Sequence, residues 1–268
     1  MILDYSRITC YQSCPRRYFY KYVEPIRKIK YEEQDLPKEF GSAIHKALEL
    51  RDNKQNYLNY FETNFKELPG NKLYTVSNGL QLLNEYIKWE SLNFPELKVL
   101  ATEIEGSFKI GDYEYKLRID RIVELNSNIY VWDYKTTTKK GYLFFNKFDP
   151  STQVSGYCKW CVDQYGQCSG FIPIQISLGY REKKYKGEPA GFHCDFAYEI
   201  INRNKEQIED FEKNVKQVGW KLGADYKTGY WTKSEDSCGW CEYRDLCRSL
   251  EDEGVKDNLY EEVGHENS

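Results

Sequence analysis

The sequence predicts a mixed α/β (α+β) fold, and three stretches predict it. Two β-rich segments, Leu117–Leu125 and Ile129–Lys135, flank the turn Asn126-Ser127-Asn128, where asparagine supplies the left-handed backbone that a tight hairpin needs. Upstream, Leu97–Ile110 reads as strand and a Gly-Asp turn within Lys109–Tyr113 joins it to that hairpin, giving an antiparallel run. On either side, Phe40–Leu50 and Asn202–Leu222 carry apolar residues at helical spacing.

Taken in order, the chain opens with Ser6–Val23, where Ser6 is placed to cap a short helix and Pro15 fits the first turn of a second. Tyr18, Phe19, Tyr20 and Tyr22 form an aromatic cluster with two readings. The rings pack a core, or they offer stacking faces to bases with Arg16 and Arg17 on phosphates. Ile26–Lys38 reads as a polar loop. Ala43, Ile44, Ala47 and Leu48 then make the buried stripe of the Phe40–Leu50 helix, with His45 beside it. Gly41 and Ser42 allow close backbone approach at its start.

Lys54–Phe94 stays helical, broken at Leu68-Pro69-Gly70-Asn71. After the hairpin, Gly141–Asp149 reads as an aromatic loop. Thr152–Tyr165 is a helix bearing Gln153, Tyr157, Trp160 and Cys161 on one side. Ile172–Gly179 and Gly191–Ile200 are strands joined by the charged loop Arg181–Pro189. The Asn202–Leu222 helix carries Ile208, Phe211, Val215 and Val218, and the acidic tail beyond Glu251 is expected to fray.

Composition narrows the function classes. The chain has 268 residues and a net charge of −4, which is not the footprint of a protein that coats duplex DNA. Local basic clusters exist at Arg16, Arg17 and Lys21, at Arg27, Lys28 and Lys30, and at Lys139 and Lys140. No apolar run is long enough to span a bilayer and no charged-then-apolar leader opens the chain, so a soluble, cytoplasmic protein without membrane contact is expected. Nine cysteines without such a leader favour a metal or cluster site over a disulfide framework.

Two constellations carry chemistry. Asp133 and Lys135, two apart on a strand, point to one face, and Asp120 joins them if the hairpin register sets it opposite. Two carboxylates and an ammonium then suit a divalent cation that activates water against a phosphodiester. Near the C-terminus, Cys238, Cys241 and Cys247 have the C-x2-C-x5-C spacing of metal or cluster ligands. A fourth ligand must come from a distance, with Cys14 first in line and Cys10 next, and zinc and an iron–sulfur cluster both remain open. Cys158, Cys161, Cys168 and Cys194 read as small apolar residues.

Together these motifs resemble the PD-(D/E)XK nuclease superfamily, in particular its RecB-type and Cas4-like exonuclease branch. C-P-R-R-Y-F-Y-K-Y from Cys14 resembles the first cysteine motif and G-S-A-I-H from Gly41 the histidine motif. R-I-D-R-I from Arg118 with D-Y-K-T from Asp133 resembles the catalytic core, and Q-V-S-G-Y from Gln153 the Q-x-x-x-Y helix. Glu103 lies upstream, where relatives often hold a further acidic residue.

The resemblance implies a restriction-endonuclease-like mixed central sheet flanked by helices, in a single nuclease domain over residues 1–268. It adds a helical insertion at 54–95 and a C-terminal cap at 238–250 completed by Cys14. It further implies that His45, Asp120, Asp133 and the Tyr134 carbonyl ligate Mn²⁺ or Mg²⁺ and that Lys135 serves the attacking water. Gln153 and Tyr157 would position the lysine or the strand. Cys14, Cys238, Cys241 and Cys247 would hold a [4Fe-4S] cluster, and Arg16, Arg17, Tyr18 and Tyr157 are the candidate nucleic-acid contacts. The expected activity is that of a DNA exonuclease on single strands or frayed ends, with protein partners in CRISPR adaptation or phage and recombination machinery. The alternative is a non-catalytic nucleic-acid-binding iron–sulfur or zinc subunit of a larger DNA-processing complex.

Overall fold

Asn126 and Ser127 both take left-handed conformations, with φ of 50° and 64°, the geometry of a two-residue hairpin whose twist matches its strands. The hairpin strands are β4 (Tyr113–Leu125) and β5 (Asn128–Thr137), and Asn128 pairs with Leu125 as the first residue of β5. The computed structural model describes residues 1–29, 35–139, 141–184, 187 and 189–264. Lys30, Lys140 and part of the Ile26–Lys38 and Arg181–Pro189 loops lie outside them. The chain divides into two compact units. The first draws on Met1–Tyr31, Ser107–Lys116 and Glu209–Ser268, the second on Glu32–Gly106 and Leu117–Ile208.

The second unit is built on a mixed sheet. β4 runs antiparallel to β5, β5 parallel to β6 (Gly170–Arg181), and β6 antiparallel to β7 (Gly191–Tyr198). Every residue of β6 from Gly170 to Leu178 is buried, as expected for a strand covered on both faces. The β6–β7 ladder stops at Ile174, and Phe171 bridges Ile201 beyond the gap; Pro173 in that gap has no N–H to donate.

Helix α3 (Leu36–Asp52) starts earlier than the apolar stripe suggested and buries Phe40, Ile44, Ala47 and Leu48. These side chains share a core with Leu82, Leu83 and Tyr86 of α5 (Val76–Asn93), with Phe61 of α4 (Tyr57–Asn64) and with Trp132 and Ile174 of the sheet. Helix α6 spans Thr152–Tyr165, as its periodicity predicts. It seats against β3 (Lys98–Ile110) through Gly106, whose absent Cβ leaves room for the Trp160 ring. The aromatic loop after β5 is instead a 3-10 helix, Tyr142–Phe148.

The first unit joins the two chain ends. β1 (Ile2–Leu3) pairs with β4 in parallel at Glu114 and Tyr115. Asp4, not Ser6, caps α1 (Tyr5–Ser13), its carboxylate accepting from the Arg7 N–H at 2.7 Å. Pro15 opens α2 (Pro15–Tyr18), which runs into a π-helical turn, Phe19–Val23. Helix α7 (Lys205–Thr228) packs Phe211 edge-on against Tyr115.

Beyond α8 (Arg244–Arg248), the tail expected to fray takes regular structure through Glu262. It forms α9 (Glu253–Leu259) and β8 (Tyr260–Glu262), and β8 pairs antiparallel with β2 (Ile26–Lys28) in the stretch read as loop. Tyr260 supplies the reason. Its ring is buried against Tyr243, and its hydroxyl donates to the Glu242 carbonyl at 2.8 Å.

Candidate active site and cysteine cavity

The β4–β5 register runs from Leu125 opposite Asn128 to Arg121 opposite Trp132, so one further step sets Asp120 beside Asp133. That is the register the shared carboxylate site requires. Asp120 Oδ2 accepts from the Tyr134 N–H at 2.7 Å and lies 3.3 Å from His45 Nδ1. Lys135 Nζ lies 2.6 Å from Asp133 Oδ2. His45 reaches the sheet because α3 approaches β5 closely: a Cβ on Gly41 would sit 2.6 Å from Thr136 Oγ1. Only glycine permits that approach.

His45, Asp120, Asp133, Tyr134, Lys135, Gln153 and Tyr157 therefore line one cleft of about 640 Å³, and Glu103 and Arg118 line it too. Gln153 Nε2 donates to the Tyr157 hydroxyl at 3.1 Å, and that hydroxyl donates to the Arg118 carbonyl. The pair thus fixes α6 to the strand bearing Asp120. Glu103 forms an ion pair with Arg118 from a left-handed backbone, φ 47°, within β3. A non-glycine residue held there inside a strand is a strained, bulge-like conformation of the kind that re-aims a side chain.

The two carboxylates differ electrostatically. Burial alone would raise Asp120, but the His45 hydrogen bond, the nearby charges of His45 and Lys135, and the Tyr134 N–H outweigh it and hold Asp120 below its ordinary value. Burial pushes Asp133 up, and Asp120 adds to that while Lys135 opposes it. Asp133 Oδ2 is buried and, apart from the ammonium contact, finds no hydrogen-bond partner among the described residues. Such an oxygen, at the floor of a cleft with a second carboxylate and an imidazole, fits a divalent cation. Among the described residues no three His, Cys, Asp or Glu side chains stand arranged to hold a metal ion; Asp120 is engaged with His45 and Asp133 with Lys135.

Behind the hairpin lies a network that sequence reasoning missed. Arg121 and Tyr134 alternate to the other face, where Arg121 is 1% exposed. Its guanidinium lies 2.7 Å from Glu90 and 2.7 Å from Asp52, and it donates to the Tyr134 hydroxyl. Arg51 also pairs with Glu90 and Asp52, and the Tyr86 hydroxyl donates to Glu90 at 2.8 Å. The signal was present only as charges inside otherwise apolar runs. Gln175 was missed as well. It is buried opposite Lys135 and donates to the Lys139 carbonyl at 2.9 Å, tying down the backbone just past the site.

In the first unit, Cys14, Cys238, Cys241 and Cys247 line a second cavity, of about 300 Å³, with Arg16 and Arg17; Cys10 does not. The Ser234 N–H donates to Cys14 Sγ at 3.4 Å. Arg16 pairs with Glu251 and Arg17 with Glu242. Tyr18 is 1% exposed and packs on Tyr11, Tyr22 and Trp231. The structure thus corrects its reading as a base-stacking ring: with both faces in the core, Tyr18 has none to offer.

The sequence profile of the PD-(D/E)XK nuclease superfamily matches residues 3–248. The chain belongs to this superfamily. PD-(D/E)XK nucleases use divalent metals such as Mg²⁺ or Mn²⁺, and the mixed sheet flanked by helices is consistent with their restriction-endonuclease-like fold. Among solved structures, the crystal structure of SSO0001 is 12% identical, covering 92% of this chain and 85% of its own at a TM-score of 0.39. LHK-Exo in complex with dAMP is 13% identical, covering 73% of this chain and 95% of its own at a TM-score of 0.28. No curated protein matches the chain. No helix among the described residues is long and apolar enough to cross a membrane.

Proposed function

We propose that this PD-(D/E)XK nuclease is a Cas4-like, metal-dependent DNA exonuclease acting on single strands or frayed ends. The observation that carries the catalytic reading is the buried Asp133, met by the Lys135 ammonium at 2.6 Å, in a cleft shared with Asp120 and His45. His45, Asp120, Asp133 and the Tyr134 carbonyl would hold Mg²⁺ or Mn²⁺. Such an ion supplies Lewis-acid charge to the scissile phosphate and acidifies water.

The chain's own groups do the rest. Lys135 orients the attacking water and offsets charge that develops on the phosphate. Asp120, kept ionised, holds His45 and the Tyr134 backbone in place. Gln153 and Tyr157 fix α6 to β4 beside the reacting groups. Arg118, largely exposed at the cleft, is placed for backbone phosphates once it leaves Glu103.

The four cysteines of the second cavity are assigned to a [4Fe-4S] cluster acting as a structural staple. The support is that all four line one cavity of about 300 Å³, three of them at the C-x2-C-x5-C spacing of cluster ligands. Cleavage of end-labelled single-stranded and duplex DNA by anaerobically purified protein with Mn²⁺ tests the activity, beside a Lys135→Ala variant and an EDTA control. The expected result is a ladder that both controls abolish. Cleavage that persists in Lys135→Ala removes the lysine from its role, and DNA binding without cleavage favours the non-catalytic reading.

A further inference from the structure

Three cysteines outside both cavities meet at the end of α6. Cys158 and Cys161 lie on the helix, 3% and 0% exposed, and Cys168 is partly exposed in the link to β6. Gly166, left-handed at φ 73°, ends the helix and turns the chain back. The reversal brings Cys168 back against the helix end that carries Cys158 and Cys161, whose thiols are its electrostatic neighbours. Cys161 Sγ also donates to the Gln167 carbonyl at 3.6 Å, and Cys168 Sγ to the Gly170 carbonyl at 3.6 Å.

Cysteines that merely fill a core have no need of one another. Here one reachable sulfur stands beside two enclosed ones, the arrangement of an attacking thiol with resolving partners. The electrostatics divide the trio the same way. Hydrogen bonds from Cys158 and Cys161 draw the Cys168 thiol well below its ordinary range despite its burial, whereas the hydrogen bond to Cys168 and burial push both helix thiols up.

We propose that Cys168 is an oxidation site that closes to an internal disulfide with a thiol of α6, the oxidant being a hydroperoxide. The Cys168 thiolate attacks the peroxide, the O–O bond breaks, and Cys168 becomes a sulfenic acid as the departing oxygen takes up a proton. The sulfur of Cys158 or Cys161 then attacks Cys168, the S–O bond breaks, and the leaving hydroxide takes that thiol's proton as water. Two thiols lose two electrons and hydrogen peroxide is reduced to two waters. The bond clamps α6, which carries Gln153 and Tyr157, to the chain leading into β6.

Peptide mapping tests this on the full chain with its metal content intact. Protein treated with graded hydrogen peroxide is alkylated with iodoacetamide and digested with trypsin. Cleavage after Lys147, Lys159 and Arg181 places Cys158 in one peptide and Cys161 with Cys168 in the next. A Cys158 bond joins the two peptides, and a Cys161 bond removes two hydrogens within the second; either supports the proposal. The link should form at doses that leave Cys194 alkylated, vanish in Cys168→Ser and persist in Cys194→Ser. Cys168 that stays fully alkylated, or passes to sulfonic acid without a link, overturns it; the wild-type map alone decides this.

Discussion

Arg121→Met is the sharpest test of how the hairpin is held. In the folded chain the Arg121 guanidinium stands between Glu90 and Asp52 and donates to the Tyr134 hydroxyl, out of contact with water. Methionine fills most of the volume but leaves two carboxylates facing each other in a buried site. Removing one partner of a buried ion pair costs about 3–5 kcal/mol, most of it from the charge left behind. Arg51 still pairs with both carboxylates, which sets the expected loss near the lower end, about 3 kcal/mol. At roughly 2–4 °C per kcal/mol for a chain of this size, the melting temperature should fall by roughly 6–12 °C.

The measurement is a thermal melt followed by far-UV circular dichroism, with Arg121→Met/Glu90→Gln beside the single variant. Removing one stranded charge should recover part of the loss. A pH series adds a second check. Burial would raise Glu90, but Arg121 and Arg51 outweigh it and hold Glu90 below its ordinary value. Its contribution is therefore complete above the unfolded-state value and disappears as pH falls through the folded one. In Arg121→Met that loss should begin at higher pH than in the wild type. A single variant that melts within 2 °C of the wild type, in the scale just given, would refute the argument that the network holds the hairpin.

Gly41→Val should cost about 1–3 kcal/mol by forcing α3 away from Thr136, and cleavage should need more Mn²⁺ because His45 retreats with the helix, as a metal titration of the rate would show. Cys14→Ser should abolish the iron and absorbance near 400 nm of anaerobically purified protein, whereas Cys10→Ser should leave both. The same Cys14 variant should expose the β2–β8 pairing to proteolysis, read as early cleavage after residue 250, because the cluster would staple the segments that carry it. Tyr157→Phe, which cannot donate to the Arg118 carbonyl, should lower kcat with little change in DNA binding, measured by single-turnover cleavage and filter retention.

Where local chemistry dictates structure, the fold was legible. The Asn126-Ser127 turn and the Gly111-Asp112 turn set the hairpin ends, and α6 matches its periodicity from Thr152 to Tyr165. The site residues fall in one cleft because each sits in a motif whose spacing encodes a shared strand face or helix turn. What escaped is what depends on distant partners. Asp4 caps α1 because the chain enters from a strand paired to Glu114 and Tyr115. The acidic tail takes regular structure through Glu262 because Tyr260 packs on Tyr243 and Glu261 finds Arg27 across 234 residues of chain. The meeting of Cys168 with α6 depends on Gly166 reversing the chain, which cysteine spacing alone does not announce.

The two faces of the hairpin explain how an unfavourable site is maintained. A buried Asp133 with a raised affinity for protons is a liability in the free protein, and a one-residue slip would relieve it by turning the side chain over. The same slip would drive Arg121 and Tyr134 off their partners, stranding Glu90 and Asp52 behind the sheet. Breaking that network costs more than the slip recovers for a single carboxylate. The charges of the buried network therefore hold in register those of the candidate site, and the even spacing of I-D-R-I against D-Y-K-T places one set on each face.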